Sequence, residues 1–430
     1  MTNAQTKGAF PMMRRVMLAL GALCTLGTAA CDDLTSLDQE APSRVLSGTL
    51  YVPANAQLLV TSTISDFECA LANYIVAGGL VGDELIDAQL AQVGWDYDRR
   101  TIVPALTSYA SLQCGNTQVP GYYTPISIAR ATADQILVAL EGWTDAEVPG
   151  RADLIATAAA HAGYALLLLG ESACTAAIDG GPEMTREELF TEAESRFTKA
   201  LTATNAEILN MARVGRARAR LNLKNYAGAK ADAVLVPETF VRLANYSAAS
   251  FRRENLVNTQ LFRGGFSSVD PSFRDLTVAG TPDPRVPVVN SGVVGQDRVT
   301  IVWRTTKYPT SSSPIPIASG DEAILIAAEA DLETGNVAAA VTAINILRTK
   351  SGLPAYGGGT AAEVRAQLIE ERRRELFLEG QRLNDIIRFN IPLSPAAGTP
   401  FPVKGGVYGN QICFPLPDLE RNNNPTLSGG

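Results

Sequence analysis

The sequence predicts an all-α protein, a tetratricopeptide-like helical scaffold interrupted by a long irregular, partly β insertion and carrying a loop-rich face. Three observations predict it. Capped, amphipathic helices follow one another from Thr185. Helical positions recur at a shift of 34 residues (Ala193 with Ala227, Ala200 with Val234, Leu201 with Leu235), which is the tetratricopeptide period. Between the helical units lies Arg263 to Ser319, a stretch rich in Gly, Pro and Ser that cannot continue a helix.

From the N-terminus, Arg14 and Arg15 precede an apolar run from Val16 to Ala30, shorter than the roughly 20 residues a membrane span needs. This is the layout of a secretory signal over residues 1–30. Leu26-Gly-Thr-Ala-Ala-Cys31 resembles a bacterial lipoprotein signal, which is cleaved before a cysteine that is then lipidated. Cys31 is therefore the expected lipidation site, and the polar stretch Asp32 to Arg44 the expected tether to a fold occupying the rest of 31–430.

An exported chain makes its remaining cysteines readable. Cys69, Cys114, Cys174 and Cys413 are even in number and lack C-x-x-C spacing, which predicts two disulfides and leaves three connectivities open. Cys69–Cys114 closes the shortest loop and is favoured on that ground.

The apolar run Ala152 to Gly170 contains Asp153 and His161 and is alanine-rich, so it reads as a buried helix of the stack rather than a membrane span. His161 then reads as a core histidine with one partner. Thr185 and Glu188 form a capping box that opens a helix through Leu201. A second helix is expected from Ala206 to Leu223, and a third from Tyr226 to before Pro237, so the first helical unit covers 185–236.

A second unit, 321–349, repeats part of the first at a shift of 111 residues. Ala217, Ala219, Leu221, Asn225, Ala227 and Ala229 return as Ala328, Ala330, Leu332, Asn336, Ala338 and Ala340, with a turn at Gly335-Asn336. The insertion 263–319 separates the two and contains β-like pieces such as Val299 to Arg304. The last strong helix spans Ala362 to Glu379, with Glu370 and Arg374 as i,i+4 partners. Gly380 is expected to cap it, and Gln381 to Phe389 to resume as a short helix with Leu383, Ile386 and Ile387 inward. Read alone, the charge run is a solvated, salt-bridged face.

Composition narrows the chemistry. The chain has 430 residues, a formal net charge of -8 and one histidine. No basic excess exists to neutralise phosphates, so a nucleic-acid partner is not expected. A multi-histidine metal site is impossible, and neither a metal nor another cofactor is expected. No G-x-x-x-x-G-K loop and no G-x-S-x-G elbow occurs, and His161 has no nucleophile motif beside it. No catalytic residue is therefore assigned.

At the C-terminal end the residues acquire a family likeness. Glu371-Arg-Arg-Arg-Glu-Leu-Phe-Leu-Glu-Gly-Gln-Arg-Leu-Asn-Asp-Ile-Ile-Arg388 resembles the E-R-R-x-E-L-x-x-E-G-x-R-x-x-D-L-x-R signature of the SusD/RagB family of outer-membrane nutrient-binding lipoproteins. Glu322 to Ala330, Gly335-Asn336, Leu347-Arg348 and Gly352-Leu353-Pro354 resemble the helical block that precedes that signature. Phe414-Pro-Leu-Pro417, Glu420 and Asn423-Asn424-Pro425 resemble the family's ending, and Gly82-Asp83-Glu84 with the helix from Tyr122-Tyr123 to Leu137 its N-terminal part.

The resemblance implies one helical domain whose loops form the ligand face. It implies an anchor in the bacterial outer membrane, at the cell surface, and a SusC-like TonB-dependent transporter as partner. It implies an oligosaccharide or another nutrient as ligand, delivered to that transporter. Within the signature (362–389) it implies a structural role for Glu371, Arg372, Arg373, Glu375, Glu379, Gly380, Arg382, Asp385 and Arg388.

Glycan binding needs aromatic faces for sugar C–H surfaces and polar groups for hydroxyls. The candidates are Trp95, Asp96 and Tyr97, where aromatic and acceptor alternate, with Tyr122, Tyr123, Trp303 and Tyr308. Two alternatives compete with nutrient binding. One is a tetratricopeptide-type protein-interaction scaffold without a small ligand, against which the insertion argues. The other is a glycoside hydrolase with paired carboxylates, for which nothing among 44 acidic residues selects a pair.

Overall fold

In the computed structural model, residues 47–105, 107–115 and 118–428 are described. The expected signal and Cys31 lie outside the described residues. The chain divides into a first unit, Met1–Val52, of which a short helix Ser47–Leu50 is described, and a second, Pro53–Gly430.

The second unit is a winding stack of helices in chain order. These are α1 (Ala56–Val81), α2 (Tyr123–Gly142), α3 (Arg151–Ser172), α4 (Arg186–Ala200), α5 (Ala206–Asn222) and α6 (Tyr226–Ala233). After the insertion come α7 (Gly320–Glu333), α8 (Val337–Lys350), α9 (Ala361–Glu375) and α10 (Arg382–Phe389). From α1 to α9 each helix packs on the next, and α6 packs directly on α7 as though the insertion were absent. The last helix, α10, returns to α1 and α3 and closes the stack on itself.

The local reasons are visible in the caps. Thr185 and Thr360 each complete a capping box, with Glu188 and Glu363. Asn225 and Asn336 open α6 and α8 in the same way, each accepting from the amide three residues on. The 111-residue correspondence holds in environment as well as sequence. Ala217, Ala219, Leu221 and Ala229 are buried, as are Ala328, Ala330, Leu332 and Ala340, while Ala227 and Ala338 are both exposed. The shift of 34 matches the element type but not the side-chain environment, because Ala193 and Ala200 are buried whereas Ala227 and Val234 are exposed. The capping residues Thr185 and Asn225 stand 40 residues apart, and that spacing pairs buried Leu189 with Ala229 and Ala193 with Ala233.

The tightest packing is between α3 and α4. A Cβ on Gly163 would lie 2.9 Å from Phe197, and one on Gly170 2.6 Å from Phe190, so two glycines on α3 receive two rings of the antiparallel α4. Gly215 of α5 approaches Phe197 from the other side, where a Cβ would lie 2.3 Å away. The expected buried helix over 152–170 is thus the floor of the core, and its apolar length serves packing.

Polar groups sit in that core as well, His161 and Arg218 among them. His161 Nδ1 meets the Thr157 carbonyl at 2.7 Å, and burial pushes the imidazole down to about 4. Arg218 of α5 gives its fork to Glu171 of α3, with Nε to Oε1 at 2.6 Å. Glu322 of α7 stands 3.5 Å from Arg218 and shares the remaining charge, so burial wins and pushes Glu322 up to about 7.

The insertion supplies most of the strands. Near it run β1 (Leu85–Asp87), β2 (Val241–Ala244), β3 (Ser267–Val269), β4 (Val288–Val294), β5 (Ile301–Thr305) and β6 (Ile315–Ser319). β1 pairs antiparallel with β3, β2 with β6, and β4 with β5 as a bulged hairpin. The expected β-like piece at 299–304 is β5.

The helix expected from Tyr226 to before Pro237 ends at Ala233, and the C-terminal helices also depart from the sequence reading. The helix expected over 362–379 stops at Glu375, and Gly380 does not cap it. Glu84 accepts from the Leu378 amide at 2.7 Å and Lys307 donates to the Phe377 carbonyl at 3.0 Å, which takes both peptide groups out of helical pairing. Gly380 instead adopts φ +86 with its Cα against Tyr74, where a Cβ would lie 2.7 Å from the ring. Ile387, expected inward, is only half-buried, whereas Leu383 and Ile386 are buried.

Candidate functional site

The charge run Glu370 to Arg388 is a set of braces, each reaching a different part of the chain. Glu371 accepts from Arg285 at 2.6 Å and from Arg348 at 2.7 Å. Arg373 pairs with Glu370 and donates to the Ser272 carbonyl at 3.1 Å. Arg374 donates to the Thr277 carbonyl at 3.0 Å and to Asp283 at 3.1 Å. Glu375 stands 3.3 Å from Arg285, and burial pushes it up to about 7. These contacts hold the insertion.

The rest hold the stack, apart from Lys307 of the insertion on Glu379. Arg372 forks onto Asp385 at 2.9 and 3.1 Å. Arg388 joins Asp385 at 2.8 Å to Glu329. Arg382 forks onto Asp83, and Lys307 meets Glu379 at 2.7 Å. Most of these groups are buried, so the run is an internal network and not the solvated face that a charge run alone suggests.

The aromatic candidates divide sharply. Trp95, Asp96 and Tyr97 lie in a short helix, Gln92–Asp98, and not in an irregular segment. The helical turn sends the three side chains in different directions. Tyr97 is fully buried edge-on to Phe414 and donates to the Pro120 carbonyl at 3.3 Å. Asp96 is buried and accepts from Arg99 at 2.7 Å. Trp95 is partly buried, with its indole nitrogen enclosed. Tyr122 stacks on Phe414 with ring centres 3.8 Å apart, and Tyr308 donates to the Leu378 carbonyl at 3.2 Å. Tyr123 is buried too and spends its hydroxyl on the Ala177 carbonyl at 3.3 Å. These four tyrosines are packing residues; none presents an open ring face for stacking.

Trp303 is different. It stands on β5 opposite Asn290 of β4 and keeps part of its ring exposed. The Arg274 guanidinium lies 4.9 Å over the ring and fixes its orientation. Arg274 itself is anchored on the Val269 carbonyl at 2.6 Å, and burial pushes its charge down, with Asp270 and Asp275 offsetting only part of the effect. The next residue, Asp275, lines a cavity of about 430 Å³. Thr277, Asp283, Pro287 and Val288 line it as well, and Val288 is on the same face of β4 as Asn290.

Arg274 over the Trp303 ring is followed by Asp275 of the hollow, and Asn290 opposite Trp303 shares a strand face with Val288 of the hollow, so chain and strand adjacency link the ring, the guanidinium and the exposed amide to the walled hollow. Its base is rigid. Burial would raise Asp283, but Arg285 and Arg374 beside it hold it below the usual carboxylate range. Sequence reasoning found Trp303 and missed Arg274 and Asn290. Asn290 faces Trp303 across a hairpin whose register only the structure provides, and Arg274 reaches the ring from the turn after Pro271–Phe273.

Two disulfides join Cys69 to Cys114 and Cys174 to Cys413. Among the described residues, no group of His, Cys, Asp or Glu is arranged to hold a metal ion.

Comparison with known proteins follows the same line. The sequence model of the SusD family matches residues 303–428. No curated protein matches the chain. Among solved structures, a SusD-like protein from Bacteroides fragilis is 14% identical, covers 89% of this chain and 97% of its own, and has a TM-score of 0.68. A SusD superfamily protein from Bacteroides vulgatus is 17% identical, covers 86% and 96%, and has a TM-score of 0.67. A laminarin-binding SusD-like protein is 14% identical, covers 87% and 98%, and has a TM-score of 0.64.

Proposed function

Because the chain belongs to the SusD/RagB family, we propose that it captures an oligosaccharide on the insertion face and delivers it to a TonB-dependent outer-membrane transporter. The observation that carries the reading is the Trp303 ring under the Arg274 guanidinium, on a hairpin whose Val288 lines a hollow of about 430 Å³. A sugar ring would lay its C–H face on the indole and give its hydroxyls to Asn290, Asp275 and Thr277. The laminarin-binding relative shares the fold and supports a glycan as the ligand class. The role proposed is binding without catalysis.

Cys31 is the proposed lipid anchor and a SusC-like barrel the proposed partner. Cys31→Ser should leave the protein in the soluble fraction, and a variant still on membranes would overturn the anchor. Co-purification of a large β-barrel with the tagged wild type supports the delivery step, and a soluble partner alone would contradict it.

The binding step is tested by calorimetry with a glycan panel that includes laminarin oligosaccharides. Trp303→Ala is expected to weaken the best ligand by about tenfold or more. Unchanged affinity in Trp303→Ala would place the glycan elsewhere.

A further inference from the structure

A second hollow, of about 410 Å³, is built from other parts of the chain. One wall is the start of α2, with Tyr123, Ser127 and Ile128. The opposite wall is the tail helix Asp418–Asn423, with Leu419, Glu420 and Asn423. A short ladder that pairs Ala176–Ala177 with Glu183–Met184 closes the end.

These walls are locked together. Cys174–Cys413 crosses 239 residues of sequence beside them. The Cys174 amide donates to the Phe414 carbonyl at 2.8 Å, Asn424 to the Gly181 carbonyl at 2.8 Å and Thr426 to the Gly180 carbonyl at 2.6 Å. A cleft held in this way is pre-organised, so little ordering opposes binding.

Its chemistry differs from that of the insertion face. Arg130 is the one cation in the lining, and it is occupied by Asp179 at 2.8 Å and Asp134 at 3.2 Å. Glu420 has no hydrogen bond or ion pair to its carboxylate among the described residues. Glu420 and Tyr123 both line the cleft, and burial, and after it the Glu420 charge, push the Tyr123 phenol up. Asn423 donates to the Leu419 carbonyl at 2.7 Å, which leaves its amide oxygen as an acceptor. The apolar contribution is aliphatic: Ile128 and Leu419 are 41% and 43% exposed, whereas Tyr123 is 5% exposed.

An open aromatic face, which a sugar would use, is missing from this lining. Aliphatic walls with an uncompensated carboxylate and further acceptors suit a donor-only cation. We propose that this cleft is a second binding site, independent of the glycan surface, for a primary ammonium carried on a small aliphatic body. The ammonium's three N–H groups meet Glu420 and the neighbouring acceptors, and the aliphatic body lies between Ile128 and Leu419.

The test uses the mature chain with both disulfides intact and three isosteric probes: n-butylammonium, n-butanol and butyrate. The readout is methyl NMR of Ile128 and Leu419, with Kd taken from the shifts. Butylammonium is expected to shift both residues and to bind about tenfold or more tightly than butanol, with butyrate weakest. Glu420→Gln is expected to erase the preference and Glu420→Asp to restore part of it. Equal binding of the three probes, no shift at either methyl, or an unchanged preference in Glu420→Gln would each overturn the proposal. None of these outcomes bears on glycan binding, which is read at Trp303.

Discussion

Arg285 of the insertion and Glu371 of α9 are joined at 2.6 Å, with both side chains buried. The same carboxylate holds Arg348 of α8 at 2.7 Å, so a single group ties the irregular segment to the helical stack. Removing the Glu371 charge leaves buried Arg348 without an ion-pair partner among the described residues and takes one from Arg285, which keeps Asp283 and Glu375. Glu371→Gln is expected to cost about 3–5 kcal/mol. Urea unfolding followed by circular dichroism measures it. An unchanged midpoint would mean that the brace contributes nothing.

The glycine–phenylalanine contact between α3, α4 and α5 gives a second prediction. Gly215→Ala places a methyl where the Phe197 ring already lies, 2.3 Å from the added Cβ. The expected loss is about 1–3 kcal/mol. Combining it with Phe197→Leu, which vacates the ring, should cost less than the sum of the two single changes. Strict additivity in the double-mutant cycle would argue against the contact.

The Cys174–Cys413 bond joins residues 239 positions apart and draws the tail onto the ladder after α3. Replacing both cysteines with serine is expected to cost about 2–5 kcal/mol. Hydrogen exchange should quicken most at 174–184 and 413–428. Uniform exchange with no local change would show that the tail is held by its hydrogen bonds alone.

Stability should also depend on pH in a defined direction. Burial pushes Glu84, Glu322 and Glu375 up to about 7 and Asp98 up to about 8. A carboxyl raised in the folded chain holds its proton more tightly there than when unfolded. Its contribution is complete below the unfolded values of 4.5 for Glu and 3.8 for Asp, and it is lost as pH rises through 7 and 8. His161 runs the other way: lowered to about 4, it contributes fully above 6.5 and loses that contribution as pH falls through 4. The urea midpoint is expected to be higher at about pH 6 than at about pH 9. A midpoint at pH 9 equal to or above that at pH 6 would contradict these assignments.

Much of the fold was legible from local physics. Thr185 with Glu188, Asn225 and Asn336 mark helix starts by chemistry that acts within three residues. The buried helix around His161 could be read from its alanines. The end of α9 could not, because Glu84 and Lys307, far away in sequence, decide where it stops.

The site was less legible for a related reason. Tyr97, Tyr122, Tyr123 and Tyr308 have the composition of a sugar platform, and only tertiary packing turns them inward. Trp303 stays partly open because its strand lies in the insertion's hairpin rather than in the stack. Arg274 reaches it through a turn that no sequence spacing announces. The signature residues matched a family pattern before any contact was known, and the helical spacing gave Arg374 its partner Glu370, at 2.6 Å, but gave none for Arg373 and none of the insertion groups that either arginine reaches.

The most direct test of the account is hydrogen–deuterium exchange of the mature chain with and without the tightest glycan from the panel. The account predicts slowed exchange across residues 274–305, centred on Trp303 and Asn290, with the helices α3 and α4 unchanged. Glycan bound with protection confined to another surface, and none in 274–305, would contradict it.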